Sequence, residues 1–299
     1  MTKTTITPKN KISLNLFQDC LEKMGFKVKF YYDLVEIYID SANKKNRLNK
    51  LNTSDLIGRQ EILQRTLPHH DTMNFIIDAH QPKYTYLEQL KNELNGDYVI
   101  TYVEFAMDII YKDKKKTDCL RNLLDELLVF QRKKGDEPFY HGIGNPSKEN
   151  PTEVENTHYF AQRSNTYKDN LVMYSDRLSK KTNTPCVHLE LRFFGSTILK
   201  KLGIYSLQDL IHFKRKNLWD HYLDLRDVNY TELGALLNKG KKSLSDSTLR
   251  RQGKQLYENF SGTQELMVNY PEYADALMPI NDRRMFESRL KAALKPTRH

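Results

Sequence analysis

The 299-residue sequence has little cysteine and no long apolar run, and each shortage removes a class of protein. Its three cysteines, Cys20, Cys119 and Cys186, are odd in number and form no C-x-x-C pair. That argues against a disulfide framework and a structural zinc site and leaves them as small core residues. No stretch approaches the roughly 18 apolar residues of a membrane span. The opening MTKTTITPKNKISLNLF has neither the apolar stretch nor the cleavage site of a signal peptide, so a cytoplasmic protein with no membrane partner is expected. There is no G-x-x-x-x-G-K-[ST] loop to cradle a nucleoside triphosphate, and no repeat of solenoid period.

What is present is positive charge. Lysine and arginine number 47 against 38 acids, for a net charge of +9 and an isoelectric point near 9.2. Such a balance keeps a protein soluble, and it also favours a polyanion, because cations that neutralise phosphates release condensed counterions. Clustering favours the second reading: Lys239, Lys241, Lys242, Arg250, Arg251 and Lys254 fall in one short tract opposed only by Asp246. That tract is the expected nucleic-acid footprint. With 39% apolar residues the chain can bury a sizeable core as one large domain or two smaller ones.

The patterning predicts an α+β fold. LNLFQDCLEKMG has helical spacing and KVKFYYDLVEIYID strand-like alternation, whereas residues 41–72 are polar, with a helical patch around Ile57 to Leu67, and read as a surface excursion. NFIIDAHQP, KYTYLEQLKNELNG and DYVITYVEFAMDIIY follow as strand, helix stopped by Gly96, and long strand, a βαβ unit in an antiparallel-rich sheet. KKTDCLRNLLDELLVFQRKKG reads as a helix ending at Gly135, HGIGNPSKENPTEVEN as a loop, and THYFAQRS, NLVMYSD and PCVHLELRFF as three strands. Beyond residue 196 the pattern is helical throughout, which divides the chain into an α+β catalytic domain over 1–195 and a helical DNA-binding region over 196–299. Residues 229–260 fit a helix-turn-helix whose second helix carries the basic tract.

Polar residues stand at every second position of otherwise apolar strands. Glu104 and Asp108 share one face of the long strand, and His188, Glu190 and Arg192 share one face of the last, with Tyr174 ending the strand between. Carboxylates plus one imidazole suit Mg²⁺ or Mn²⁺, cations that neutralise charge in phosphoryl transfer. A tyrosine beside such an ion has its pKa, about 10 when unperturbed, lowered, and becomes a nucleophile toward a phosphodiester. The adjacent pair His69 and His70 is not read as a metal site, because neighbouring loop side chains point apart. Taken singly, a tyrosine packs, strand carboxylates pair with arginines such as Arg163 or Arg192, and a strand histidine satisfies a hydrogen bond.

Order and spacing carry more. ITYVEFAMDII, THYFAQRSNTYKDNLVMYSDR and CVHLELRFF resemble, in that sequence, three motifs of the replication-initiator and relaxase family typified by rolling-circle plasmid initiators and conjugative-element nickases. The resemblance spans about residues 74 to 195. It places Glu104 and Asp108 at the first motif's acids, Arg163 at the second motif's arginine, Tyr174 at the nicking tyrosine and Glu190 at the last motif's acid. It departs where Ala161 and Gln162 replace Gly-Ser, and where YSDR, with Arg177, replaces Tyr-acid-Lys.

The resemblance implies an endonuclease that needs Mg²⁺ or Mn²⁺, held by Glu104, Asp108, His188 and Glu190. It would open one strand of an origin by attack of Tyr174, keep the 5′ phosphate and leave a 3′ hydroxyl. Origin DNA with an unpaired nick site, and a host helicase and polymerase, are the implied partners; a homodimer would suit paired origin arms, although no coiled-coil heptad marks one. Arg192 and the basic tract are the expected DNA contacts. A conjugative relaxase would share the chemistry. Two further readings stand beside it: a non-catalytic origin-binding initiator or repressor, and a tyrosine recombinase built on HFKR (His212 to Arg215) and Tyr257.

Overall fold

The two polar-faced strands, and the reason their polar faces meet, are best seen from the sheet they form. The computed structural model describes residues 11–39, 60–65, 74–130, 139–141, 157–160, 169–240, 244–260 and 262–295. Strands β1 (Lys27–Ile39), β2 (Gln60–Arg65), β3 (Asn74–His80) and β4 (Val99–Ile110) precede a two-residue β5 (Leu128–Val129). Strands β6 (Phe139–His141), β7 (Thr157–Tyr159), β8 (Asp169–Tyr174), β9 (Cys186–Phe194), β10 (Asp224–Val228) and β11 (Leu277–Pro279) follow. The main sheet has the order β2-β3-β1-β4-β9-β8-β7-β6, with every neighbouring pair antiparallel. The fold is α+β.

Helices α1 (Leu14–Lys23), α2 (Tyr84–Leu94), α3 (Lys114–Leu127), α4 (Ser196–Lys201), α5 (Leu207–His212) and α6 (Arg215–Tyr222) lie on one side. They are joined there by the last helix of the chain, Arg283–Ala293. Their apolar residues, among them Phe17, Leu87, Leu124, Leu210, Trp219 and Phe286, form one continuous core with Val103, Phe105 and Met107 of β4 and Leu189, Leu191 and Phe193 of β9. Helices α4 to α6 therefore share the sheet's core rather than standing apart after residue 195. Local signals set the ends: Ser13 and Asp113 accept backbone N–H groups at the starts of α1 and α3, and Asn95 and Gly96 take positive φ after α2.

Several expectations need correction. The βαβ unit is split: β3 and β4 are each antiparallel to β1, which lies between them, so α2 carries the chain across an intervening strand. Residues 60–65, expected within a helical patch, form β2, because β3 offers an open ladder that local helical spacing cannot foresee. Helix α3 stops at Leu127 rather than at Gly135, since Leu128 and Val129 pair with β10. The region after 196 is not helical throughout, because β10 sits between β5 and β11 in a second small sheet. The histidines 69 and 70, the loop after 141 and residues 41–59 lie outside the described residues. No helix among the described residues is long and apolar enough to cross a membrane.

Next to the small sheet, α7 (Tyr230–Leu237) and α8 (Asp246–Tyr257) cross at very close range above a second apolar cluster that includes Val228, Leu233, Tyr257, Leu266 and Leu277. The crossing depends on two glycines. A Cβ at Gly234 would lie 2.0 Å from the Leu249 carbonyl oxygen, and one at Gly253 would lie 1.9 Å from that of Tyr230. Backbone cannot yield as a side chain can, so a single methyl must separate the helices. We expect Gly253→Ala to lower the unfolding free energy by about 1–3 kcal/mol or more, measured by urea denaturation. A variant as stable as wild type would mean that the two helices do not cross here.

Candidate active site

Register places the polar residues in rows across β8, β9, β4 and β1. Tyr174, His188 and Asp108 form one row; Val172, Glu190, Ala106 and Tyr31 the next; Asn170, Arg192, Glu104 and Leu34 the third. The small side chain of Ala106 leaves the centre of this face open, flanked by Glu104 and Asp108 on its own strand. The alternation that drives Val187, Leu189 and Leu191 into the core thus delivers His188, Glu190 and Arg192 to the opposite face, as the sequence predicts.

Strand β1 contributes a residue that the sequence reading did not single out. Tyr32 stands opposite Phe105 and Leu34 opposite Glu104, so two steps on β1 meet one on β4 and Asp33 is the extra residue of a bulge. The bulge turns the Asp33 carboxylate into the site, where Oδ1 accepts from Gln81 Nε2 at 3.1 Å and Oδ2 from Lys180 Nζ at 2.5 Å. A readable signal exists: the core-facing apolar residues of β1 run Val28, Phe30, Tyr32 and then Val35, Ile37, Ile39, so the alternation changes phase across Asp33-Leu34.

His188 is the hub. Its Nδ1 lies 2.6 Å from Asp108 Oδ1 and its Nε2 lies 3.1 Å from Glu190 Oε2. The Tyr174 ring stacks on the imidazole, with centroids 4.5 Å apart. Asp108 also accepts from Tyr31 Oη at 3.1 Å and from Ser179 Oγ, while Arg192 Nε donates to Glu190 and lies 3.4 Å from Glu104 Oε1. Tyr102 Oη donates to Glu104. The 175–185 loop folds over this face and brings Arg177, whose guanidinium carbon is 5.6 Å from the Tyr174 ring centroid, together with Ser179 and Lys180.

Charges crowd together out of water, and their proton affinities follow. Burial disfavours an imidazolium at His188, but the hydrogen bonds to Asp108 and Glu190 prevail and raise its pKa to about 9. Burial likewise opposes charge on Glu190, yet Arg192 and His188 outweigh it and hold that carboxyl well below the usual range. Glu104 goes the other way, pushed well above its ordinary value by burial and then by the charge of Glu190. Burial, followed by Glu190, also raises the Tyr174 phenol above its ordinary value, with Arg177 opposing.

One ligand atom each from Asp33, His188 and Glu190 lies within 4.8 Å of the others, a grouping able to hold a metal ion. Two carboxylates and an imidazole are the donor set of a hard or borderline cation. Of the expected ligands, His188 and Glu190 are in this group. Asp108 stands behind His188 as the acceptor that orients its ring, and Glu104 is engaged by Tyr102 and Arg192. A cavity of about 280 Å³ opens onto the site, lined in part by Asp33, His80, Tyr174, Lys180 and Glu190.

The expected DNA contacts separate. Arg192 is committed to the two glutamates, whereas Lys239, Arg250, Arg251 and Lys254 are exposed on α8 and the turn after α7; Lys241 and Lys242 lie outside the described residues, as does Arg163, expected beside Tyr174 as a catalytic residue. Tyr257, on which the recombinase reading rests, packs in the second cluster with its hydroxyl directed at the Glu126 carbonyl at 3.4 Å, and it is buried to the same degree as Tyr174.

No protein-family model matches the chain, and no curated protein matches it. Among solved structures it is similar to one described as a rolling circle replication initiator protein from Geobacillus stearothermophilus, at 12% identity and a TM-score of 0.36, over 77% of this chain and 97% of that one. A likeness of that degree assigns no chemistry to this chain.

Asp108 is fully buried and accepts from Tyr31, Ser179 and His188. We expect Asp108→Ala to cost about 3–5 kcal/mol of folding stability, because three buried donors lose their acceptor. Urea unfolding followed by circular dichroism measures it, and a loss below about 1 kcal/mol would contradict the network.

Proposed function

We propose that the protein is a replication initiator of the rolling-circle kind, a cation-dependent enzyme that nicks one DNA strand with Tyr174. The observation that carries this reading is the stacking of Tyr174 on His188 at the mouth of a cavity that Asp33 and Glu190 also line. A conjugative relaxase would use the same residues in the same way.

In this reading the cavity admits an unpaired strand and sets a phosphodiester against the phenol. Tyr174 Oη bonds to phosphorus, and the P–O3′ bond breaks with its electron pair on O3′. The phenolic proton leaves to solvent through the cavity and O3′ takes one up, giving a 3′ hydroxyl for a polymerase and a 5′ phosphate on the tyrosine. A Mg²⁺ or Mn²⁺ ion held by Asp33, His188 and Glu190 would supply positive charge to the phosphate and the ionising phenol. Asp108 fixes the ring of His188 with Nε2 turned toward Glu190, so that this nitrogen would be available to the ion. Arg177 and Lys180 add cationic charge, and Arg192 keeps Glu190 ionised. Duplex origin DNA would meet the exposed Lys239, Arg250, Arg251 and Lys254, with Lys241 and Lys242 as further candidate contacts, and Arg163 would assist Tyr174 in the chemistry.

The test uses Mn²⁺ and a pool of fluorescent DNA hairpins with randomised single-stranded flanks. Wild type is expected to form an adduct that survives detergent, with the nucleotide mapped to Tyr174 by mass spectrometry, and EDTA to abolish it. Tyr174→Phe should reduce the adduct by about 10³-fold or more; an undiminished adduct in that variant removes the assignment. Cation binding is checked separately by Mn²⁺ paramagnetic resonance. Asp33→Asn and Glu190→Gln should weaken it, and Asp108→Asn should do so by about 10- to 100-fold through the loss of ring orientation. Full Mn²⁺ affinity in Asp33→Asn would exclude that carboxylate as a ligand.

A further inference from the structure

Strand β1 has neighbours on both sides only from Leu34 onward. Strand β3 ends at His80 opposite Leu34 and Gln81 N–H still reaches the Asp33 carbonyl, so among the described residues Lys27–Tyr32 pair with β4 alone. Cations and aromatic rings gather around this free edge. On the site face, Lys181 Nζ lies 4.8 Å from the Tyr31 ring centroid, near enough to Asp33 on one side and Arg215 on the other for both charges to act on it. On the opposite face, the Arg215 guanidinium lies 5.0 Å from the ring centroids of both Tyr32 and Tyr84 and donates to the Tyr84 hydroxyl. Lys216 Nζ lies 5.8 Å from the Phe30 ring. A groove of about 470 Å³ follows, lined by Phe30, Tyr84, Phe213 and the basic run 214–216, with no acidic residue in its lining.

Cation–π contacts of this kind occur about once per 70–80 residues. Here Lys181, Arg215 and Lys216 make four of them along one strand edge. Of these rings Tyr31 and Tyr32 are buried, but in the groove Tyr84 is 42% exposed and Phe30 and Phe213 are half-buried. In the groove, accessible rings interleaved with cations and with no acid in the lining fit a chain that alternates phosphates with flat unstacked bases. A duplex offers the phosphates but keeps its base faces stacked, and an acidic peptide offers the charge without the flat faces.

Resting on the nicking reading above, we propose that this edge is the track of the unpaired DNA strand. The strand runs from the cavity at Asp33 and Lys180, past Lys181 on Tyr31, around the free edge of β1, and into the groove of Phe30, Tyr84 and Phe213. Bases stack on Tyr84 and Phe213 while Lys214, Arg215 and Lys216 hold the phosphates.

Binding of fluorescein-labelled dT20 is followed by anisotropy in EDTA over a salt series, so that no cleavage is needed. Lys214 and Lys216 are both exposed, which makes the double charge reversal K214E/K216E compatible with folding. It is expected to weaken dT20 binding about tenfold or more and to lower the slope of log affinity against log salt by about 1.4, or about 0.7 for each phosphate contact. Tyr84→Ala should weaken binding about tenfold while leaving the slope unchanged. Iododeoxyuridine in place of thymidine should crosslink to peptides containing Phe30, Tyr84 or Phe213. Wild-type affinity and slope in K214E/K216E would overturn the track. So would a Tyr84→Ala variant that keeps full dT20 affinity while K214E/K216E loses poly-glutamate binding equally, because the groove would then be a plain basic patch. The two readings fail separately: an adduct on Tyr174 with unaltered dT20 binding sinks the track alone, and the expected dT20 losses without any adduct sink the nicking chemistry alone.

Discussion

The constraint on which the rest depends is the burial of carboxylates on one face of a sheet whose other face is the core. Asp33, Glu104, Asp108 and Glu190 are all buried there, and four like charges so placed cannot ionise together without cations. The protein answers with His188 between Asp108 and Glu190, Arg192 between Glu190 and Glu104, and Lys180 on Asp33. The answer is weakest at Glu104, whose carboxyl is pushed well above its ordinary pKa by burial and by the charge of Glu190. A sheet built for stability alone would fill these positions with apolar residues, as it does on the other face, so the expense of burying acids points to chemistry at this surface.

Geometry follows from two local departures from regularity. The bulge at Asp33 changes the phase of β1, letting one strand serve the core with Tyr32 and Val35 while both intervening residues turn to the site. The small residue at Ala106 keeps the centre of the row open where Glu190 and Tyr31 approach from either side. The loop after Tyr174 closes the arrangement. It returns through the Leu178–Pro185 bridge, with Asn183 at positive φ, and in doing so lays Ser179 on Asp108 and Lys180 on Asp33.

These features explain which parts of the molecule the sequence discloses. Strands β4 and β9 alternate without interruption, so Glu104, Asp108, His188 and Glu190 can be assigned to one face from spacing alone. Asp33 cannot be placed that way, because a rule of every second residue fails at a bulge, although the phase change marks where it fails. Residues 60–65 and β10 owe their extended form to partners distant in sequence: DLRDV has no apolar alternation and becomes a strand because Leu128, Val129 and Leu277 to Pro279 flank it. The same blindness to tertiary context extends helix α3 to Gly135 on paper. The basic face of α8 is readable because exposed helical charge depends on little else, whereas Arg192, equally basic, is claimed by two glutamates that only the sheet brings near it.

The surroundings of Tyr174 bear directly on how such a site could be controlled. Burial, Glu190, Asp33 and Asp108 all favour the protonated phenol, and Arg177 opposes them. A scissile phosphate would add another negative charge, so substrate by itself deepens the inhibition rather than relieving it. In the proposed chemistry the tyrosine is therefore latent until positive charge enters among Asp33, His188 and Glu190. The same acids that make the phenol inert are the ones that would bind that charge. If the proposed chemistry holds, coupling the two through shared carboxylates would keep the phenol from reacting merely because DNA had arrived, a property that a nucleophile activated by a fixed base would lack.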